Sequence, residues 1–154
     1  MKEYPFISPL KDWAGRAIKA IDAYNKSFDK QSLLKMTITE DEIKAIHKSY
    51  RVLTTELVCI KDGSAPIAAE IAKELCSADM EMDAEKTACL SILLESYVKW
   101  SNAISAFIDA SDRLFARKCK GFRVSDALSL STVLRNATEK MKGDLQNEKL
   151  YPRA

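Results

Sequence analysis

The sequence predicts an all-α protein: a single-domain bundle of about five mostly antiparallel helices, with a long central fourth helix at about residues 83–120. Three observations predict this fold class. Apolar residues recur at steps of three and four along most of the chain, and no alternating run is long enough to compete as a strand. In addition, no Gly or Pro interrupts the stretch from Asp83 to Lys120. The same pattern serves enzymes, adaptors and scaffolds, so it predicts an architecture rather than an activity.

The composition is typical of one soluble domain. The chain has 154 residues, of which 47% are hydrophobic and 30% are charged, so one domain over residues 1–154 can bury a sizeable core. We expect about 147–154 to be a frayed tail. No apolar segment has the length of a signal peptide or a membrane span, which predicts a cytoplasmic protein. The four cysteines show no paired spacing and fit reduced thiols, mostly on or beside apolar faces (Cys59, Cys76, Cys89, Cys119).

The first helix is predicted to begin at Ser8, a capping residue followed by Pro9 in the first turn, where a missing N–H costs nothing. Short polar side chains beyond Asn25 favour a break near residue 30. The predicted buried face consists of Leu10, Ala14, Ala17, Ile21, Tyr24 and Phe28.

A capping box predicts the start of the second helix, because Thr39 is followed three residues later by Glu42. Asp62-Gly63 predicts its end, since Gly adopts the left-handed conformation of a helix terminus at no steric cost. The predicted buried face consists of Ile43, Ile46, Tyr50, Leu53, Leu57 and Ile60.

Ser64 and Pro66 then predict the start of a short third helix that ends by Ala78. The long fourth helix is predicted to be capped by Asp83 and to close at Lys120-Gly121. Its predicted apolar face consists of Leu90, Leu93, Tyr97, Trp100, Ile104, Phe107 and Leu114, with Ser111 at the one position lacking an apolar residue. Ser125 is predicted to cap a last helix with apolar positions Leu130, Leu134, Ala137, Met141 and Leu145.

A basic cluster at the carboxyl end of the long helix is the first candidate binding site. Net charge is +2 overall, but residues 86–154 alone carry +5. The cluster comprises Arg113, Arg117, Lys118, Lys120 and Arg123, with Phe115 and Phe122 interleaved. Such residues can neutralise phosphates while the aromatic rings stack on bases, which predicts an anion or nucleic-acid site. Alternatively, the cations only compensate the helix dipole.

A second candidate is a face of small residues on the same helix, formed by Ala103, Ala106 and Ala110. Small side chains allow another helix to approach closely. The face is therefore interpreted either as a surface for a partner protein or a homodimer, or as internal packing of a central helix against its neighbours.

No local motif for catalysis, metal binding or cofactor binding is recognised in the sequence. His47 is the only histidine, so the chain offers no His-containing ligand pair. The acidic residues of 79–85 lack the Gly and the bidentate Glu of a calcium loop. The four glycines stand alone, which excludes the familiar phosphate-binding loops. We therefore assign no catalytic residue, no metal and no cofactor.

These observations favour a non-catalytic intracellular protein that binds a macromolecular partner through a helical face or charged helix termini. A protein partner is the preferred interpretation. One alternative is a nucleic-acid-binding accessory protein that uses the cluster at 113–123. Another is an enzyme with a dispersed site between helices, for which Arg16, Arg51, Glu56 and Glu95 are the residues to inspect.

Overall fold

A computed structural model describes residues 5–28, 38–77, 84–117 and 121–146. These residues form four helices and no strand, so the predicted all-α class is confirmed. The helices are α1 (Ile7–Asn25), α2 (Glu40–Ser77), α3 (Ala84–Ala116) and α4 (Val124–Asp144). The described residues contain four helices, where about five were predicted for the chain. The expected tail at 147–154 and the cap at Asp83 lie outside the described residues.

The four helices form a closed ring in which each packs against two neighbours: α1 on α2 and α4, and α3 on α2 and α4. Neighbouring helices are antiparallel. In the α1–α2 interface, for example, Trp13 lies against Gly63 whereas Tyr24 lies near Tyr50. The other interfaces show the same reversed order in their hydrogen-bonded pairs: Tyr50–Asp112 and Ser64–Tyr97, Trp100–Thr138 and Ser96–Asp144, Arg135–Asp22 and Ser131–Asn25.

The core lies where the predicted apolar faces meet. Every predicted face residue of α1, of the first part of α2 and of the long helix α3 is buried, including Ser111. The periodicity therefore gives these three faces correctly, because burial requires one side of a helix to be apolar at the helical repeat.

The predicted boundary at Asp62-Gly63 is wrong, because α2 continues without interruption from Glu40 to Ser77. Gly63 serves close packing instead of helix termination. A Cβ atom placed on Gly63 would lie 2.4 Å from Cη2 and Cζ2 of Trp13, so only glycine lets the indole approach the α2 backbone at this distance. Pro66 lies inside this helix. Because proline has no backbone N–H, it cannot donate the hydrogen bond that the Asp62 carbonyl receives in a regular helix. Both Pro66 and Asp62 are exposed.

The predicted helix caps are partly corrected. The capping box is confirmed, since the Glu42 amide donates to Thr39 Oγ1 at 3.2 Å and the Thr39 amide donates to Glu42 Oε1 at 3.3 Å. By contrast, α1 begins at Ile7, one residue before Ser8, and α4 begins at Val124 rather than after Ser125. Neither start carries a side-chain cap, so a favourable residue type near a helix start did not decide the boundary.

The buried face of α4 also differs from the predicted one. Leu130 and Ala137 are only partly buried, whereas the next residues, Ser131 and Thr138, have no exposed surface. Both hydroxyls are satisfied inside the bundle: Ser131 donates to Asn25 and Thr138 donates to the Leu134 carbonyl at 2.8 Å. Burying a hydroxyl costs little free energy when it forms a hydrogen bond to its own helix or to a neighbouring one. The polarity of the residues therefore did not predict the buried face of α4 correctly.

The prediction that the cysteines lie mostly on or beside apolar faces is correct for only part of the set. Cys89 is buried, but Cys59 and Cys76 are exposed and therefore do not act as core hydrophobes. Cys119 lies outside the described residues.

Candidate binding surfaces

Three residues of the predicted basic cluster are described, and all three are exposed: Arg113, Arg117 and Arg123. The guanidinium of Arg113 donates through Nε to the Asp109 carbonyl at 3.4 Å, one turn earlier on α3. Arg117 lines a cavity of about 310 Å³ between α3 and α4 together with Asp126. Lys118 and Lys120 lie outside the described residues. Of the described cations of the cluster, Arg117 therefore shares a cavity with a carboxylate, that of Asp126.

The aromatic residues of this cluster are occupied inside the molecule. Phe122 is 4% exposed and packs on Phe115, with ring centroids 5.1 Å apart. Phe115 in turn stacks on His47 at 4.7 Å and on Tyr50 at 4.9 Å. Burial among these rings lowers the pKa of His47, and the nearby Arg51 lowers it further. Rings used in this way do not offer a free face to a nucleotide base.

The alanine face of α3 is divided between two environments. Ala103 packs against the bundle core, and Ala110 lines the cavity between α3 and α4. Ala106 is exposed. In the ring, α3 has a neighbouring helix on each of two sides, as every helix of the bundle does, so it is not central. An interface for a partner protein or a homodimer at Ala103, Ala106 and Ala110 stays a prediction.

The four residues named for a dispersed enzyme site all lie at the surface. Arg51 is exposed, and Glu95 forms an exposed ion pair with Lys99 at 2.9 Å. Arg16 donates through Nε to Glu56 across the α1–α2 interface. Among the described residues, the buried polar side chains are hydroxyls only: Ser64, Ser96, Ser111, Ser131 and Thr138.

A groove between α1 and α2 is a concave surface with polar residues at its edge. We call it the α1–α2 groove; its cavity volume is about 460 Å³. Its residues come from two stretches of about eight residues each: Arg16, Lys19, Ala20, Ala23 and Tyr24 of α1, and Ser49, Val52, Leu53 and Glu56 of α2. Val52 is 68% exposed, although valine is a large apolar residue. The groove therefore combines an apolar surface with charged residues from both helices, Arg16 and Lys19 of α1 and Glu56 of α2.

Arg16 is held in place at the edge of this groove. Its guanidinium pairs with Glu56 and lies 5.2 Å from the ring centroid of Trp13. The hydrogen bond to Glu56 raises the pKa of Arg16, so the side chain is a permanent cation. Lys19 lies one turn further along α1, is exposed, and has no ion-pair partner among the described residues. The lining of the groove thus carries one positive charge in excess, from two cations and Glu56.

Two neighbouring tyrosines near this groove, with ring centroids 6.2 Å apart, differ in their hydrogen bonding. The Tyr50 hydroxyl donates to Asp112 Oδ1 at 2.7 Å, and burial raises its pKa above the usual range. The Tyr24 hydroxyl is buried without a hydrogen-bond partner in the described part of the chain, and desolvation likewise raises its pKa. Both rings pack near Phe107.

Removing these two hydroxyls should therefore have opposite effects on stability. We expect Tyr24→Phe to raise the free energy of unfolding by about 1 kcal/mol, because it removes a buried polar atom that has no partner. Tyr50→Phe should lower it by about 1 kcal/mol through loss of the bond to Asp112. Urea unfolding followed by circular dichroism measures both. A loss of stability in Tyr24→Phe equal to that in Tyr50→Phe would contradict the unpaired state of the Tyr24 hydroxyl.

The α1–α2 groove was missed by sequence reasoning. Ala20, Ala23 and Val52 lie outside the buried faces of their helices, and the residue pattern of one helix does not show how two helices are placed together. The available signal was Val52, an apolar residue directly beside the buried Leu53 and next to the cationic Arg51. A valine on the exposed side of an amphipathic helix is common, so that signal is weak.

The described residues contain no group of three or more His, Cys, Asp or Glu side chains that could hold a metal ion. Residues 79–83, which superficially resemble a calcium loop, lie outside them. None of the described helices combines the length and the apolar character needed to cross a membrane. No protein-family model matches the chain, and neither the curated proteins nor the solved structures contain a match to it.

Proposed function

We propose that this protein is a non-catalytic helical bundle that binds a segment of a partner protein in the α1–α2 groove. The observation that carries the proposal is the groove itself, a cavity of about 460 Å³ with an apolar surface in which Val52 remains 68% exposed. Interfaces between proteins concentrate their binding energy in such concave apolar sites, surrounded by polar residues that set orientation. The groove has this arrangement, with Arg16, Lys19 and Glu56 beside it.

The other surfaces support this function less well. At the basic cluster, Phe115 and Phe122 are stacked inside the molecule, so the aromatic part of a nucleic-acid site is missing from the described residues. On the alanine face, only Ala106 is exposed. The exposed Val133 on α4 lines none of the described cavities, which makes it a useful control position.

A photo-crosslinking amino acid at Val52 tests the proposal in the full chain. The matched control carries the same amino acid at Val133, which is 66% exposed. After irradiation in the cells that express the protein, we expect crosslinks from position 52 to one discrete segment of a partner and no such product from position 133. The crosslinked segment is then synthesised as a peptide, and its affinity for the unmodified chain is measured by fluorescence anisotropy.

The variant Val52→Glu should weaken binding of this peptide at least about tenfold, because it places a charge in the apolar part of the groove. Val133→Glu should leave the affinity unchanged. Equal binding to both variants would refute the proposed site. A different result would assign the function to the basic cluster instead. In that case the chain binds single-stranded RNA, and the logarithm of the binding constant falls linearly with the logarithm of the salt concentration. The affinity for RNA is then lower in Arg117→Ala but unchanged in Val52→Glu.

A further inference from the structure

We infer that the segment bound in the α1–α2 groove is an acidic amphipathic α-helix of the partner protein, which places apolar side chains on Ala20, Ala23 and Val52 and a carboxylate beside Arg16 and Lys19. This inference rests on the proposed function, because it names the chemistry of the occupant of the same groove. Length, surface shape and charge each contribute to it.

The length of the groove matches a short helix. Its lining residues span Arg16–Tyr24 on α1 and Ser49–Glu56 on α2. At a rise of 1.5 Å per residue, each stretch is roughly 11–12 Å long, which equals about two turns of a helix lying along the groove. Because α1 and α2 are antiparallel neighbours, the groove between them runs along both helix axes and accepts a third helix lengthwise.

The surface of the groove permits close helix packing. Ala20 and Ala23 on α1 are small, so a helix backbone can come near α1 at these positions. On the opposite side, Val52 projects a branched apolar side chain that is 68% exposed. Covering it with apolar side chains of a partner helix removes this surface from water.

The charge of the groove selects an acidic occupant. Arg16 and Lys19 are separated by three residues on α1 and therefore share one face of that helix. Glu56 neutralises one of these charges, and Lys19 has no ion-pair partner among the described residues. The Nε atom of Arg16 donates a hydrogen bond to Glu56, and Trp13 packs against the guanidinium group. The orientation of the guanidinium is therefore fixed before a partner binds. A carboxylate on the partner helix can accept hydrogen bonds from the guanidinium and from Lys19.

Selection from a peptide library tests this inference without knowledge of the natural partner. Fourteen-residue peptides with randomised positions are displayed on phage, selected on the full chain and counter-selected on the Val52→Glu variant. We expect the selected peptides to carry apolar residues at helical spacing with Asp or Glu beside them, and to show helical NMR chemical shifts when bound. Their affinity should fall about fivefold in Lys19→Glu and should weaken with salt, as for an exposed charge pair.

A charge exchange provides the matched control. A peptide in which the acidic residue is replaced by Lys should bind the Lys19→Glu variant better than it binds the unmodified chain. Circular dichroism of the variant checks that it remains folded, as expected for a change at an exposed residue. Affinity lost in the variant and recovered by the exchange shows that the carboxylate lies beside Lys19.

The outcomes separate this inference from the proposed function. Peptides that require Val52 but have no acidic preference, or that bind in an extended conformation, overturn the inference and leave the groove as a protein-binding site. Failure to select any peptide that requires Val52 overturns both. Dodecanoate is titrated in parallel, because it offers a carboxylate and an apolar body without a helix; binding tighter than that of the selected peptides assigns the groove to a small amphiphile and overturns the inference.

Discussion

Replacing Trp100 with alanine should lower the free energy of unfolding by about 3–5 kcal/mol. The side chain is 1% exposed and lies at the centre of the α3 face that the other helices cover. Its ring packs edge-on against Tyr97 at a centroid distance of 6.1 Å. Removing the indole leaves a large cavity in a close-packed core, and the surrounding side chains can fill only part of it.

The hydrogen bond of Trp100 adds to this loss. The indole Nε1–H donates to Thr138 Oγ1 at 3.0 Å and so joins α3 to α4. Trp100→Phe retains most of the ring volume but loses this bond, and we expect it to cost less than Trp100→Ala. Val98→Ala is the control, because Val98 lies on the same helix, is 45% exposed and should change stability by at most about 0.5 kcal/mol. Urea unfolding curves provide the measurement, and a loss below about 1 kcal/mol in Trp100→Ala would contradict the central position of this ring.

The apolar faces of the helices could be predicted from the sequence, whereas their arrangement could not. Leu57 and Ile104 are buried because each lies on the apolar side of a helical repeat, and that repeat is visible in a single chain. The same reasoning failed at Ser131 and Thr138, which are polar but are buried because their hydroxyls form hydrogen bonds inside the bundle. Hydrogen-bond partners on another helix, such as Asn25, are a property of the folded structure and leave no local pattern.

The candidate sites show the same division between local and tertiary information. Arg113 and Arg117 could be identified as exposed cations from their spacing on one helix. The sequence could not show that Phe115 stacks on His47 and Tyr50, which come from α2, and so it overstated the similarity to a nucleic-acid site. The α1–α2 groove combines residues that are 25 (Tyr24 and Ser49) to 40 (Arg16 and Glu56) positions apart, and it depends entirely on the packing of two helices.

Gly63 is the position where a local sequence signal and the tertiary structure disagree most clearly, and substitution there should show which of them determines the residue. We expect Gly63→Leu to lower the free energy of unfolding by about 2 kcal/mol, within the range for overpacked sites. Leucine is a better helix former than glycine by roughly 1 kcal/mol, which favours the variant. However, even its Cβ atom would lie 2.4 Å from the Trp13 ring, so the indole must move away from the α2 backbone.

The glycine on α1 provides the matched control for this prediction. A Cβ atom on Gly15 would meet no atom within 4 Å, so Gly15→Ala should raise stability by up to about 1 kcal/mol through helix propensity alone. Tryptophan fluorescence distinguishes the two effects, because displacement of Trp13 in Gly63→Leu should shift its emission to longer wavelength while Trp100 stays buried. Since Trp13 also packs against the Arg16 guanidinium, the same variant should weaken peptide binding in the α1–α2 groove. A gain in stability for Gly63→Leu similar to that for Gly15→Ala would mean that Trp13 does not require the glycine.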